Sequence, residues 1–296
     1  MRRRLPLLLV LLLALLVSCS AVRMTYDNAD WLLAHLAGRY VDMDREQARA
    51  LKLQIAQLHA WHRREELPRY AALLDEAAAR VERGLTRDDV AWAVAAVRAR
   101  SQALGSHAAA GLAPLLVTLN DRQIGEVEVR FAADNRKYYA AKLSGSSSEA
   151  VTTQADWFCA RLEDWTGDVT PAQRELVMNL MRAFPDLAEL RLADRKRRQA
   201  QLLALLREHP DQTTVQTRLV TLSTDPYAGS IGPYRDTLVA AEARSIDTLV
   251  ALDRSLTPRQ RATIVQRMRR YAQEFRSLAQ ENGKGQSTSI SARPAG

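Results

Sequence analysis

The densest chemistry in this sequence lies in AWHRREELPRY, Ala60 to Tyr70, with His59 just before it. His59, His62 and Glu66 stand at i, i+3 and i+7, so a helix could turn all three one way. Imidazole and carboxylate together suit zinc or a di-metal bundle site. A metal-dependent enzyme is therefore one reading. A second competes with it: His62 continues the apolar stripe Ala48, Leu51, Ile55 and Leu58, where Glu66 one turn on can satisfy it as a buried pair beside Trp61. No second His-rich stretch completes a coordination sphere. Pro68 either opens a new helix or kinks a long one at Leu67, with Trp61 and Tyr70 lining the bend.

Other chemistry is sparse. No H-E-x-x-H, C-x-x-C, G-x-S-x-G or Gly-rich phosphate loop occurs, so the expectation is a protein that is not an enzyme and carries no cofactor. Cys159, in DWFCARLEDW, has neither a histidine nor a second cysteine nearby to activate it and reads as a small buried hydrophobe. Two basic groups are candidate binding surfaces. Arg195, Lys196, Arg197 and Arg198 interrupt the apolar stripe between Leu192 and Leu202 and point around the whole helix, as a segment projecting into solvent would. Arg267, Arg269 and Arg270 alternate with Met268 and Tyr271. Such a mix suits a surface that attracts unfolded chains by charge and then holds them by apolar contact, although a helix with one wet face looks the same.

The elements that must position these residues are helices. Gly and Pro are scarce at 12 and 10 in 296 residues, while Ala, Leu, Arg and Gln recur. Stripes at helical spacing run through Ile264, Met268, Tyr271, Phe275 and Leu278 and through Ile124, Val127, Phe131 and Tyr138. Val127, Val129 and Phe131 also alternate like a strand, but no partner strand is visible, so helix is expected there. The prediction is an all-α fold of long antiparallel amphipathic helices in a bundle.

LTPRQ, Leu256 to Gln260, supplies a helix start: Thr257 as N-cap, Pro258 where its missing N–H costs nothing, and Gln260 reaching back to close a capping box. Asp44 with Gln47, Asn120 with Gln123 and Thr170 with Gln173 repeat the construction, and LTRDD at 85–89 is a fifth version with Asp in place of Gln. LNDRQ and LTPRQ are 137 residues apart, an offset that also pairs Val127 with Ile264, Phe131 with Met268, Tyr138 with Phe275, and Leu85 and Asp88 with Leu222 and Asp225. Asp44 and Thr170 are 126 apart. Two related helical halves, 26–143 and 150–281, joined by a Ser/Gly linker at 144–149, are one reading of these offsets; unrelated amphipathic helices are the other. The tail 282–296 is polar, rich in Gly and Ser, and expected to be disordered.

The N-terminus, MRRRLPLLLVLLLALLVSCS, has an arginine n-region and an apolar run too short to span a bilayer. Its end, Leu16 to Cys19, resembles the bacterial lipobox. That resemblance implies a signal peptide at 1–18, cleavage before Cys19, acyl chains on Cys19 and a lipidated tether at 19–25. Ser20 in place of Asp implies the outer membrane, with the folded part in the periplasm. Cleavage removes three of the 42 basic residues, so net charge falls from +8 to +5. A pI near 9.8 would suggest nucleic acid. The periplasmic address instead makes unfolded or acidic proteins, or anionic envelope polymers, the expected partners besides the membrane.

Leu256, Thr257 and Gln260, with Gln47, Gln123 and Gln173 at equivalent places, resemble the LTxxQ motifs of Spy/CpxP-type stress proteins. Those proteins carry two such motifs per chain and pair into a cradle, so the likeness implies a fused pair. SCSAVRMTYDNADWLL, YVDMDREQ and AWHRREELPRY are similar to an uncharacterised family of bacterial lipoproteins, a likeness that implies an acylated helical protein. The expected function is a tethered protein-interaction or chaperone-like module, with the metal-dependent enzyme and a passive envelope scaffold as alternatives.

Overall fold

The computed structural model describes residues 23–24, 26–184, 187–224 and 233–281. Cys19, the leader, most of the tether, Asp225 and the tail lie outside the described residues. Among the described residues the structure is helical, without strands, as the composition predicts. No helix there is long and apolar enough to cross a membrane.

In chain order the helices are α1 (Ala29–Gly38), α2 (Arg45–Trp61), a π turn (His62–Glu66), α3 (Leu67–Arg83), α4 (Arg87–Leu116), α5 (Asp121–Lys142), α6 (Ser147–Thr166), α7 (Pro171–Arg182), α8 (Leu187–Arg207), α9 (Gln212–Thr224), α10 (Pro233–Arg254) and α11 (Pro258–Gln280). The core forms where stripes meet. Leu119, Ile124 and Val127 at the start of α5 pack on Leu203 and Leu206 of α8. Val129 is exposed while Phe131 packs inward, so the 3.6 period prevails over the alternating one. Ala78 and Val81 of α3 pack on Ile264 and Val265 of α11. Fully buried Ala71 and Ala78 let these two backbones approach closely. Cys159 packs with Ala155, Val177 and Leu252, and burial pushes its thiol up from the ordinary value.

Among the described residues six capping boxes start helices, at Asp44, Thr86, Asn120, Ser146, Thr170 and Thr257. The four glutamine boxes do more than start helices, because their glutamines meet in pairs. Gln47 and Gln123 exchange amide hydrogen bonds at 3.2 and 2.6 Å, and Gln173 and Gln260 do so at 3.0 and 3.1 Å. Each glutamine also donates to the backbone carbonyl two residues before its partner's N-cap: Gln47 to Thr118, Gln123 to Asp42, Gln173 to Ser255 and Gln260 to Asp168. The same junction is thus built twice, once by Gln47 with Gln123 and once by Gln173 with Gln260.

Helices from either side of 144–149 also pack on one another. The most extensive helix pairings are α3 with α11 and α4 with α9, each joining a helix before residue 143 to one after 150. The segment 144–149 is a short turn followed by the first turn of α6: Ser146 caps α6, and Glu149 closes the box on the Ser146 amide at 2.9 Å.

A buried carboxylate ties the two ends together. Asp253, at the end of α10, accepts the Leu85 amide at 2.8 Å and the Arg261 guanidinium at 2.8 Å, and Arg261 also reaches the Val81 carbonyl. Gly84 permits this contact: it ends α3 at φ 92°, a conformation that a side chain would strain. Asp89, also buried, accepts Arg80 at 2.6 Å and Arg83 at 2.7 Å in addition to closing its own box. The Thr86 backbone amide, its hydroxyl and these arginines hold the Asp89 carboxyl well below its ordinary value.

Candidate functional site

At Pro68 the missing amide and the ring's clash with the carbonyl four residues back forbid a regular α-turn, and the helix widens instead of breaking. The Leu67 amide bonds to the His62 carbonyl, five residues back, and α2 continues into α3 through the π turn. The extra residue aims the fully buried Glu66 at Arg69, 2.7 Å away, and at Arg100 of α4, 3.2 Å away.

His59, His62 and Glu66 consequently find different partners. His59 Nδ1 lies 2.6 Å from Asp30 of α1, and His62 Nδ1 lies 3.0 Å from the Tyr26 hydroxyl. The expected His62–Glu66 pair is replaced by a His62–Tyr26 contact and a Glu66–arginine cluster. Among the described residues no group of three His, Cys, Asp or Glu side chains is placed to hold a metal ion. Burial pushes the Tyr26 hydroxyl up to about 12, so it stays protonated in its hydrogen bond with His62. Burial likewise lowers His62, against an opposing pull from Glu66. Tyr70 packs its ring 5.4 Å from His62, and Trp61 stacks on His107 at 3.6 Å, so both aromatics line the bend. This cluster docks α1 and α4 onto the long helix.

The basic run of α8 does not project as its sequence suggests. Arg197 and Arg198 bind the buried Asp194 at 2.5 and 2.7 Å, and Arg198 also caps the Leu222 carbonyl of α9 at 3.1 Å. Arg195 is half-buried and helps hold the Asp134 carboxyl below its ordinary value, after the larger effect of the Tyr40 hydroxyl. Lys196 alone of the four is exposed, at the edge of a cleft of about 570 Å³ between α5 and α8. On α11, Arg267, Arg269 and Arg270 line a shallow groove of about 890 Å³ together with Arg261. Glu82 pairs with Arg269 there at 2.7 Å.

A concave apolar surface forms where no single stretch of sequence announces it. Phe158 of α6, Leu180 and Met181 of α7, Leu187 of α8 and Leu238 of α10 line a groove of about 520 Å³, with Phe184 at the end of α7. Tyr138 closes one side and is fixed there by donating its hydroxyl to the Ala188 carbonyl at 3.3 Å. Lys142, Arg191 and the exposed Trp157 stand at its edge. Glu242 also lines it but is paired with Arg98 at 2.7 Å. The groove can therefore offer apolar contact flanked by positive charge. Its residues come from five helices, so no local motif joined them; the chain's clearest signals, the capping boxes, lie elsewhere.

No curated protein and no solved structure matches the chain. A family model does match residues 39–235, well over half of the length, and by that match the chain belongs to a family of unknown function, DUF6279.

Proposed function

We propose that this protein is a lipid-anchored helical module of the bacterial envelope that holds apolar, acid-flanked segments of other proteins. The groove between α6, α7, α8 and α10 carries this reading: it is concave and apolar, with Lys142 and Arg191 at its edge. The lipobox-like Leu16 to Cys19 supports the tether, Ser20 the outer membrane and the periplasmic address, and the net positive charge supplies steering toward acidic or unfolded chains. The LTxxQ-like boxes add the resemblance to Spy/CpxP-type proteins, here as two glutamine junctions in one chain. The experiment is dilution of a chemically denatured client into buffer with stoichiometric protein and no nucleotide. Slower aggregation is expected, and no protection at low salt overturns the reading.

The arginine groove on α11 favours a second partner class, an anionic envelope polymer. Three of its four arginines, Arg267, Arg269 and Arg270, lie within one helical turn of one another. Binding of a polyanion there would weaken steeply with salt and with Arg267→Glu.

A further inference from the structure

α1 is built inside out. Its helical wheel places Asp30, Ala34 and Ala37 on one arc, and these face the protein: Asp30 meets His59, while Ala34 and Ala37 pack on the core of Leu51, Ile55 and Leu115. The opposite arc carries Trp31, Leu32, His35 and Leu36, with Leu33 at its border. Trp31 is 68% exposed, Leu32 40%, Leu33 43% and Leu36 39%, and Met24 just before the helix is 66% exposed. A helix of a soluble body turns its small side chains inward and its large apolar ones outward only when another surface covers the large ones.

We propose that this face of α1 lies on the bilayer, in the plane of the interface, and presses the folded body against the membrane. The proposal rests on the lipid-anchor reading of Cys19. Nine residues separate Cys19 from Ala29, a reach of at most about 36 Å, so acylation would hold α1 beside the lipid surface throughout. At ten residues the helix is too short to span, and its composition, Trp and Leu outward with Arg39 exposed at its end, suits the interface. His35 stacks flat on Trp31 at 5.4 Å and stiffens the contact surface.

The test uses the full chain bound to phosphatidylethanolamine and phosphatidylglycerol vesicles whose acyl chains are brominated near the headgroup. The difference in emission between the wild type and Trp31→Phe isolates the Trp31 signal. Bromination should remove at least half of it, and Leu36→Glu should restore most of what is lost. A Trp31 signal that bromination leaves unchanged while the chain floats with the vesicles overturns the proposal. So does a lipid-free dimer that shields Trp31, since a second copy then covers the face. The intact mass of the membrane-extracted chain tests the anchor separately: without acyl mass the tether reading fails, while quenching on added vesicles still reports α1.

Discussion

Gln173 and Gln260 form a closed amide pair in which neither side chain has a hydrogen-bonding group left over. Each Nε2 donates to the partner's Oε1 and to a backbone carbonyl, and each Oε1 accepts the partner's amide and its own N-cap N–H, at 2.9 Å from Thr170 and 3.0 Å from Thr257. Two donors and two acceptors saturate a primary amide, which is what a position with no exposed surface requires. Glutamine therefore stands at the four boxes whose third residue must join two helix starts. Where a box serves other partners the residue is acidic, as in Asp89 with its arginines and the exposed Glu149.

The pair should behave as a unit. Gln173→Ala and Gln260→Ala should each cost about 1–3 kcal/mol, because each strands a buried partner. The double variant should cost less than their sum by roughly 0.5–3 kcal/mol, read from denaturant unfolding as a double-mutant cycle. Simple additivity would mean that the amides do not depend on each other.

Gln260→Glu should be sensitive to pH in a direction the wild-type side chain cannot show. A carboxylate there has no donor for the Asp168 carbonyl and must be desolvated, so its folded-state pKa rises above the unfolded one. Its destabilisation should grow as pH rises from about 4 to about 7 and shrink again on acidification, measured as melting temperature against the wild type.

The helices and their starts were legible in the sequence because both depend on short-range chemistry. Apolar residues at helical spacing and an oxygen-bearing side chain three before a glutamine are local facts, and Thr257 to Gln260 behaves as its types dictate. Ser146 with Glu149 carries the same signature, but the serines and glycine around it read as a linker. What the chain could not show locally is which box meets which. Gln47 finds Gln123 and Gln173 finds Gln260 across 76 and 87 residues, and Glu66 takes Arg100 of α4 in place of His62, its neighbour one turn back. The groove was hidden for the same reason, as Met181 and Leu238 become neighbours only through packing.

Acidification should destabilise the fold through His62. His62 is held below its ordinary value of 6.5 by burial, with Tyr26, His59, Glu66 and Tyr70 around it. Its folded-state pKa is the lower one, so the unfolded chain takes up the proton first, and stability falls as pH drops through 6.5 toward the folded value. Melting temperatures from pH 7.5 to 5 should decline more for the wild type than for His62→Gln. Equal slopes would show that His62 does not titrate against folding.

The central claim is that the groove edged by Lys142, Arg191 and Trp157 holds other chains. The most direct measurement is fluorescence anisotropy of a labelled peptide with an apolar centre and acidic flanks, titrated with the full chain at low salt. Arg191 and Trp157 are exposed, so Arg191→Glu and Trp157→Asp should leave the fold intact. The account predicts saturable binding that each substitution weakens by about tenfold, a change of about 1.4 kcal/mol. Binding that both variants retain at wild-type affinity, or no binding at all, would contradict it.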